Sequence, residues 1–487
     1  MHADLRCVLA LLLSLGACFR APTASIDAGF DAGRDASYRA GEDATVAAID
    51  LGPPAPRARF APRFVFQDPS VRCDPPPPYE MREAPRPRPP RGTVRWTYNP
   101  SNDPVAAAWL GPSGSFFLDG AEMVGMPNGG FVTAFYDRKF VVGVTGDGEF
   151  DFVLPAFNAP PGPAWLAPST LVLRPRSDSA FGRSVLLAHR NPDVFPLDEV
   201  AIRPPVAPGF SSMPNQTEGP TVLPDGTIVW TPTVSTISGA CADGRAKWVL
   251  EHDTNTGFRR VYADANGHAI VAGDGDFGIY RIDSDGNVLA KRDTSFFYGT
   301  PIGFSDRCGV VVSHGVPPRL GMSILSYFHG YDFSEVTDFP VSPYGATPTS
   351  DCGAWMTNPE TRQAERRRAD GSLVFTAYSA GRELADGSWL IMHVGDAPPD
   401  FAPGMTIMAN DGTITYHTDF DRVTVGDRLR PNVLLTPDGV LYVTASSDVS
   451  GQQFAAIEVG IGPTPTWFGD GTNWAHDNAT WHSVVTP

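Results

Sequence analysis

A cluster of aspartates between two strand-like runs is the first place where this sequence has the residue types for metal binding. In FGIYRIDSDGNVLAKRD, Asp283 and Asp285 precede Gly286. An EF-hand calcium loop that began at Asp283 would need glycine at its sixth position and glutamate at its twelfth. Those positions hold Val288 and Thr294. The glycine stands instead where a tight turn between two strands requires it, so the stretch predicts a hairpin and no calcium site.

Other motifs with known chemistry are either in the wrong context or missing. GDGDFG, from Gly273 to Gly278, has the glycine spacing of a nucleotide loop. It lies between two strand-like runs, and its two aspartates would repel a phosphate. The sequence has no G-x-S-x-G, H-E-x-x-H or P-loop motif. These absences count against a familiar hydrolase family, although an enzyme with acids and bases on scattered loops is not excluded.

The elements that would position functional residues repeat along the chain. From about Thr93 the hydrophobic pattern has a period of two and is interrupted by turn residues. A strand–turn–strand signature recurs with its turn at Gly129, Ser169, Gly226, Gly267, Gly309, Gly353, Gly387 and Gly439. A second glycine turn follows at Gly286, Gly371 and Gly412, and KWVLEHDTNTGFRRV, around Gly257, aligns with GIYRIDSDGNVLAKR. Each module is therefore predicted to contain four strands, A to D, with tight A–B and C–D turns.

Four antiparallel strands about every 40 residues are the period of a β-propeller. With these modules the region from Thr93 to Pro487 resembles the quinoprotein-like (pyrroloquinoline-quinone-repeat) and WD-type propellers, although the Gly-His and Trp-Asp dipeptides of WD repeats are missing. The resemblance implies an all-β ring of seven or eight four-stranded blades, because the module at Ser169 is degenerate. GTVRWTYN (92–99) is predicted to supply the outer strand of the last blade. A pair of β-sandwiches is the structural alternative.

The propeller resemblance also implies where a ligand site lies. In such a ring the A–B and C–D turns share one end, and the B–C loops and D–A connections surround the channel mouth at the other. The candidate ligand-binding residues are those of the B–C loops, namely Asp274, Asp276, His314, His393 and Asp396. Imidazoles and carboxylates on one rim can bind a metal or perform acid–base chemistry. The sequence nevertheless predicts no metal, no other cofactor and no specific catalytic residue.

The N-terminus has the pattern of an export signal. The apolar run VLALLLSL, Val8 to Leu15, is too short to span a bilayer. It ends in Leu-Gly-Ala-Cys18, which resembles the lipobox of bacterial lipoproteins. That resemblance implies cleavage after residue 17, a diacylglycerol on Cys18 and, because Phe19 follows, passage to the outer membrane. An ordinary cleaved secretory signal is the alternative.

Residues 18–92 are predicted to be a linker between the lipid and the propeller. The Asp-Ala-Gly tract IDAGFDAGRDAS and the proline-rich stretches that follow it bury too little apolar surface to fold by themselves. The linker ends in a basic run with Arg82, Arg86, Arg88 and Arg91. We expect a solvated spacer here, with contact to anionic lipid or peptidoglycan as the alternative. The domain boundaries are thus 1–17 for the signal peptide, 18–92 for the linker and 93–487 for the propeller.

Four cysteines remain once Cys7 is removed with the leader and Cys18 carries lipid. An even number in an oxidising compartment predicts two disulfides with three possible pairings. Cys308 and Cys352 each precede the A–B glycine of neighbouring modules, so we expect them to bridge two blades. Cys73 would then pair with Cys241 and tie the linker to the body.

The charge and the missing motifs limit the function. A formal net charge of −17 argues against a general nucleic-acid binder. We expect an exported, monomeric, lipid-anchored propeller on the periplasmic or cell-surface side of the outer membrane, which binds a protein or carbohydrate without catalysis. The alternative is a propeller enzyme, either a carbohydrate lyase or hydrolase or a quinone-dependent dehydrogenase. A purely architectural envelope module is the third possibility.

Overall fold

The computed structural model describes parts of the second of two compact units. The units are Met1–Arg57 and Ala58–Pro487. The described residues are 62–75, 87–99, 123–126, 129–135, 140–155, 164–167, 170–173, 185–189, 198–202, 220–233, 235–252, 258–273, 278–292, 300–305, 307–315, 323–341, 346–358, 360–361, 363–393, 404–420, 433–447, 451–464 and 468–469. The predicted signal peptide, Cys18 and the Asp-Ala-Gly tract lie outside these residues.

Within the described residues all regular secondary structure is β-strand. In chain order the strands are β1 (Arg63–Gln67), β2 (Val94–Tyr98), β3 (Met123–Gly125), β4 (Gly130–Phe135), β5 (Phe140–Thr145), β6 (Phe150–Pro155), β7 (Ala164–Ala167), β8 (Thr170–Leu173), β9 (Val185–His189), β10 (Asp198–Ile202), β11 (Thr221–Val222), β12 (Ile228–Thr233), β13 (Thr236–Ala240), β14 (Ala246–Glu251), β15 (Phe258–Ala263), β16 (Ala269–Gly273), β17 (Ile279–Ile282), β18 (Val288–Arg292), β19 (Thr300–Ser305), β20 (Gly309–Gly315), β21 (Ser323–His329), β22 (Glu335–Val341), β23 (Ala346–Pro348), β24 (Ala354–Thr357), β25 (Ala364–Arg367), β26 (Leu373–Ala377), β27 (Arg382–Glu383), β28 (Trp389–His393), β29 (Gly404–Met408), β30 (Ile414–Asp419), β31 (Val433–Leu435), β32 (Val440–Ser447), β33 (Gly451–Glu458) and β34 (Phe468–Gly469). The same residues contain no helix long and apolar enough to cross a membrane.

These strands form eight antiparallel sheets, each built mainly from strands that follow one another in the sequence. Sheet 1 is β3–β6, sheet 2 is β7–β10, sheet 3 is β11–β14, sheet 4 is β15–β18, sheet 5 is β19–β22, sheet 6 is β23–β26, sheet 7 is β27–β30, and sheet 8 is β31–β33. Three further strands complete them: β1 lies beside β14, β34 beside β19, and β2 beside β33 as the fourth strand of sheet 8. The chain is therefore all-β with repeated four-stranded sheets, as the repeat predicted.

The predicted A–B turns coincide with the first hairpin of each sheet. Seven of the eight turn positions fall between the first and second strands of their sheets, and the eighth, Gly309, is the first residue of β20 at the end of the corresponding turn. The predicted C–D turns at Gly286, Gly371 and Gly412 lie between the third and fourth strands of sheets 4, 6 and 7. The position of each hairpin is set locally by glycine or aspartate, which is why sequence spacing alone located it.

One prediction about the repeat is wrong. The stretch around Gly257 does not form a C–D hairpin, because Trp248 and its neighbours belong to β14, the fourth strand of sheet 3, and β15 begins sheet 4. The C–D turn of sheet 3 lies earlier, around Gly244. The third strand, β13, has the sequence TISGA, whose small and polar residues give a weak strand pattern. The sequence alignment therefore assigned the more strongly apolar β14 as the third strand, although it is the fourth.

The aspartates of the opening stretch serve a turn, as predicted. The backbone N–H of Gly286 donates to the Asp283 carbonyl oxygen at 3.0 Å. The Asp283 carboxylate accepts bonds from the backbone N–H groups of Asp285 at 2.9 Å and Asn287 at 2.8 Å. The Asn287 side-chain amide donates to the same carboxylate at 2.9 Å. This hairpin uses the carboxylate to stabilise its own backbone, which is the local chemistry that favours aspartate in turns.

The sheets pack face to face through shared apolar cores. Separate clusters join sheets 3 and 4, 4 and 5, 5 and 6, 6 and 7, and 7 and 8. A further cluster joins sheet 8 to sheet 1 through Phe131, Tyr442 and Phe454, all less than 3% exposed. Burial of each such side chain contributes about 1.5–3 kcal/mol. Consecutive four-stranded sheets whose last member packs on the first are the arrangement of a β-propeller.

The seam between sheets 8 and 1 is completed by β2, a strand that precedes the repeat in the sequence. β2 pairs antiparallel with β33, so the predicted closing strand GTVRWTYN does complete the last sheet. Trp96 of β2 donates its indole N–H to the Gly146 carbonyl of sheet 1 at 2.7 Å. Its ring lies 6.4 Å from that of Phe131 and 5.9 Å from that of Tyr442.

The structure contains both disulfides in the expected pairing. Cys73 is bonded to Cys241, with Cα atoms 5.0 Å apart, and Cys308 to Cys352, with Cα atoms 5.3 Å apart. The first bond ties residues 62–75 to sheet 3, where β1 already pairs with β14. The second joins the A–B turns of sheets 5 and 6, the equivalent positions that the register indicated.

Two arginines of the basic linker run contact the propeller body. Arg91 donates from Nε to the Val459 carbonyl at 2.9 Å, and Arg88 donates to the Gly460 carbonyl at 3.1 Å. Arg88 also pairs with buried Glu458 at 3.8 Å. These two side chains therefore hold the linker end on sheet 8, whereas Arg82 and Arg86 lie outside the described residues.

Candidate functional site

The two ends of the sheets differ in how their strands are connected. We call the end with the A–B and C–D turns the turn end, and the opposite end the loop end. Nine of the turns have the same length of five residues: 223–227, 241–245, 264–268, 283–287, 330–334, 349–353, 368–372, 384–388 and 409–413. The connections at the loop end vary from 234–235 in sheet 3 to 394–403 in sheet 7 and 203–220 between sheets 2 and 3.

Contacts between neighbouring sheets confirm that the turns share one end. They join Gly267 to Pro224 (sheets 4 and 3), Arg281 to Tyr331 (4 and 5), Cys308 to Cys352 (5 and 6), Ser350 to Glu383 (6 and 7), Ala385 to Gly462 (7 and 8) and Trp96 to Gly146 (8 and 1). The turn end is thus cross-linked from sheet 3 through sheet 8 to sheet 1. Since loops on a rigid scaffold are where binding residues concentrate, the loop end is the candidate functional end.

The structure places one of the five candidate side chains. Asp274, Asp276 and Asp396 lie in loop-end connections outside the described residues. The backbone of His314 belongs to β20, opposite Ile324, but its side chain is outside the description. His393 is the last residue of β28, and its side chain is buried at 5% exposure. It therefore belongs to the strand that leads into the 394–403 connection rather than to the connection itself.

His393 is part of a polar chain across three strands of sheet 7. Its Nε2 lies 2.5 Å from the Thr406 hydroxyl on β29. The same hydroxyl lies 2.8 Å from Nδ1 of His417 on β30. Nε2 of His417 is 3.4 Å from an Asp419 carboxylate oxygen. Cross-strand pairing and alternation along β30 bring these four side chains to one face of the sheet.

These groups form a consistent hydrogen-bonded chain when both imidazoles are neutral. In the neutral tautomer of His417 that carries its hydrogen on Nε2, this N–H faces the Asp419 carboxylate and Nδ1 is an acceptor. The Thr406 hydroxyl then donates to that Nδ1. Its oxygen accepts from Nε2–H of His393, so both imidazoles take part in the chain in their neutral forms. In this arrangement the Thr406 hydroxyl orders both rings.

Burial and a neighbouring imidazole act together on His393. Its burial lowers the pKa of the His393 imidazole below the usual value, and the repulsion of a charged His417 lowers it further. Asp419 opposes this shift but does not overcome it. The neutral state required by the hydrogen-bond arrangement is therefore the state that the fold favours.

The order Thr406–His417–Asp419 has the group types of a nucleophilic triad, but its geometry does not suit that chemistry. The Thr406 side chain is 4% exposed, and its oxygen is shared between two imidazoles, so a substrate carbonyl has no access to it. The exposed groups are His417 and Asp419, at 41% and 53% side-chain exposure. The described arrangement suits recognition by hydrogen bonding. In the described part of the chain no group of three or more His, Cys, Asp or Glu residues is placed to hold a metal.

The cluster lies beside sheet 6 at the loop end. The ring of Tyr378, the residue after β26, is 6.4 Å from the ring of His393. Ser379 donates its hydroxyl to the Met392 carbonyl at 2.8 Å and so fixes this connection against β28. The sequence did not identify Thr406, His417 or Asp419 as site residues. The available signal was the spacing of His417 and Asp419. Residues two apart on a strand lie on the same face of the sheet, so these two polar side chains could have been placed together.

Comparisons with known proteins assign this chain to no family. No family model matches the chain, and the comparison with curated proteins found no match. BamB from Moraxella catarrhalis is 13% identical over 69% of this chain and 96% of its own, with a TM-score of 0.40. Virginiamycin B lyase from Staphylococcus aureus is 9% identical over 74% of this chain and 98% of its own, with a TM-score of 0.41. Both are β-propeller proteins. At these identities and TM-scores no residue role, substrate or partner is transferred to this chain.

Proposed function

We propose that this chain is an exported, lipid-anchored, monomeric β-propeller that binds a protein or carbohydrate partner at its loop end and does not catalyse a reaction. The observation that carries the proposal is the contrast between cross-linked turns at one end, nine of which have five residues, and connections of two to eighteen residues at the other. Variation in length at one end of a rigid scaffold is typical of a surface that recognises a partner.

The anchor and the compartment rest on the cysteines and the leader. Two disulfides fit an oxidising compartment outside the cytosol. The apolar run Val8 to Leu15 acts as the export signal, and Cys18 at the end of the lipobox-like sequence carries the lipid anchor. We take each of the eight sheets as one blade, since shared cores connect sheets 3 to 8 in order and connect sheet 8 to sheet 1.

The loop-end proposal is tested by photo-crosslinking on intact cells. A photoreactive amino acid is placed at Asp396, in the loop-end connection of sheet 7, and in a second strain at Asp386, an exposed residue in the A–B turn of the same sheet. Discrete crosslinked products at 396 and none at 386 support the proposal. Competition of those products by added oligosaccharide identifies a carbohydrate partner. Equal products at both positions, or none at 396, contradict it.

The anchor is tested separately with Cys18→Ser. We expect the variant to leave the membrane fraction and appear as soluble protein, because a thioether-linked lipid can no longer form. Mass spectrometry of the N-terminal peptide of the unchanged protein should show the added diacylglycerol. Membrane retention of the Cys18→Ser variant would contradict the lipid anchor without affecting the loop-end proposal.

A further inference from the structure

The outermost strands of the sheets differ in how they are protected against pairing with other chains. A free strand edge is usually blocked by a charged residue, a proline or a covering segment. Seven of the eight outermost strands in the described residues carry a charged residue: β1 (RFVFQ), β2 (VRWTY), β6 (FDFVLP), β10 (DEVAI), β18 (VLAKR), β22 (EVTDFPV) and β30 (ITYHTD). The outermost strand of sheet 6, β26, is LVFTA and carries neither a charge nor a proline.

The edge of β26 is also accessible. Within the described residues β26 is paired on one side only, by β25. Leu373, its first residue, is 48% exposed, and Thr376 is exposed as well. Phe375 is partly buried because its ring packs edge-on against Trp355 at 5.3 Å. The strand is therefore held in place by Phe375 and Ala377, which pack against the core shared with sheet 7, while Leu373 and Thr376 are exposed.

The same fold already accepts an added strand at an outer edge. β1 pairs antiparallel with β14, the fourth strand of sheet 3, although the two strands are far apart in the sequence. In this pairing Phe64 lies opposite Leu250. A segment from outside the repeat can thus extend a sheet by one strand, and backbone hydrogen bonds supply most of what such a segment needs.

The edge of β26 is continuous with the candidate site. β26 ends at Ala377, and the next residue, Tyr378, lies beside His393. A strand added along β26 would therefore run from Leu373 toward the exposed His417 and Asp419 at the loop end. Its apolar residues would contact Leu373, and its end would reach the polar cluster.

We propose that β26 is a docking edge for an extended segment of a protein partner, which adds to sheet 6 as a fifth antiparallel strand with an apolar residue against Leu373. This inference rests on the binding part of the proposed function and narrows the partner to a protein with an exposed, extended and alternating segment. Because β26 has no charged residue, the partner segment is recognised by its extended backbone and by its apolar side chains rather than by its charge.

The test uses the full-length protein and a fluorescent seven-residue peptide of alternating threonine and valine. Two N-methylated versions of the peptide, called twins below, serve as controls. In one twin the methyl groups replace the backbone N–H hydrogens along one edge of the strand, and in the other twin those along the opposite edge. Binding is followed by fluorescence anisotropy, and backbone exchange of β26 by hydrogen–deuterium exchange. We expect the plain peptide and one twin to bind and slow exchange in β26, and the other twin to fail, because only one peptide edge pairs with the sheet.

Matched substitutions identify the edge. Thr376→Lys and Leu373→Lys introduce the type of protection that β18 carries, and each should weaken binding at least about tenfold. Val336→Lys places the same charge at a 41% exposed position on β22, which is already protected, and should leave binding unchanged. Thermal unfolding of each variant checks that the fold is intact. Leu373 and Thr376 are both exposed, so the two lysine variants test the β26 edge independently.

Other outcomes overturn the proposal in distinguishable ways. Equal binding of both N-methylated twins, or equal loss with Val336→Lys, excludes strand addition at β26. A concentration-dependent dimer that Thr376→Lys dissociates would assign the edge to a second copy of this chain instead. If both lysine variants bind the peptide as the unchanged protein does while crosslinks at position 396 persist, the docking edge is wrong and the loop-end function stands. Peptide binding at β26 without any crosslink at position 396 would support the docking edge and contradict the loop-end function.

Discussion

The turn end and the loop end of the same sheets obey different physical constraints. At the turn end nine of the hairpins have five residues, and neighbouring sheets are joined there by the Cys308–Cys352 bond, by Ser350 and Glu383, and by Trp96. At the loop end the connections differ in length, and the described polar groups bond to one another across sheet 7. Among the described residues, the contacts that join neighbouring sheets in this way lie at the turn end, whereas the lengths of the connections vary most at the loop end.

The disulfides provide the largest expected test of this contrast. Removal of Cys73–Cys241, with a sequence separation of 168, should cost about 5 kcal/mol in the chain-entropy estimate. Removal of Cys308–Cys352, with a separation of 44, should cost about 4 kcal/mol. Paired Cys→Ser variants compared by denaturant unfolding should show this order. A smaller loss for the Cys73–Cys241 variant would mean that residues 62–75 do not unfold together with the sheets.

The seam between the last and first sheets is tested at Trp96. Trp96→Ala should destabilise the protein by about 3 kcal/mol, because it removes an aromatic side chain packed between Phe131 and Tyr442. Trp96→Phe keeps much of this packing and loses the bond to the Gly146 carbonyl, so it should cost about 1 kcal/mol. Thermal melting measures both variants. An unchanged melting temperature for Trp96→Ala would show that β2 does not close the ring.

Alanine substitutions at two turn glycines distinguish the cost of backbone strain from the cost of a steric clash. Gly387 has a φ of +79°, and a Cβ at this position would point into open space, so Gly387→Ala should cost about 1–2 kcal/mol from strain alone. Gly226, with a φ of +85°, lies against the Asp74 carbonyl, which a Cβ would strike. Gly226→Ala should therefore cost more and loosen residues 62–75. Equal melting temperatures for the two variants would contradict the docking of that segment on the turn of sheet 3.

The smallest expected effect concerns the loop end and pH. Since burial lowers the pKa of His393 in the folded protein, the fold favours its neutral form. The unfolded chain then binds more protons as the pH falls below the unperturbed value of about 6.5, and the stability contributed by neutral His393 is lost. The melting temperature should fall more for the unchanged protein than for His393→Gln between about pH 7 and 5.5. Parallel curves for the two proteins would exclude this contribution.

Much of the scaffold was predictable because its signals are local. Strand alternation and turn residues such as Gly226 and Gly439 mark each hairpin within a few residues of sequence. Cys308 and Cys352 could be paired because they occupy equivalent positions in a repeat. The pattern failed at β13, where small residues replace the expected apolar ones and only pairing with β12 and β14 shows the strand.

The candidate site was predictable only in part. His393 could be selected as a residue near a loop, but its partners Thr406 and His417 depend on the register of β28, β29 and β30. Likewise, the sequence around Arg88 and Arg91 is that of a solvated basic run, and only the fold brings both side chains onto sheet 8. Such contacts join residues separated by long stretches of chain, and no local preference specifies them.

The sequence by itself determined the all-β class, the repeat, the turn positions and the cysteine register, because each follows from side-chain alternation and backbone conformation over a few residues. Strand pairing and packing alone show that β1 joins sheet 3, that Thr406 links two imidazoles, and that β26 is paired on one side only within the described residues. These features arise from strand pairing and burial between distant segments, where the free energy depends on which surfaces meet rather than on local propensity.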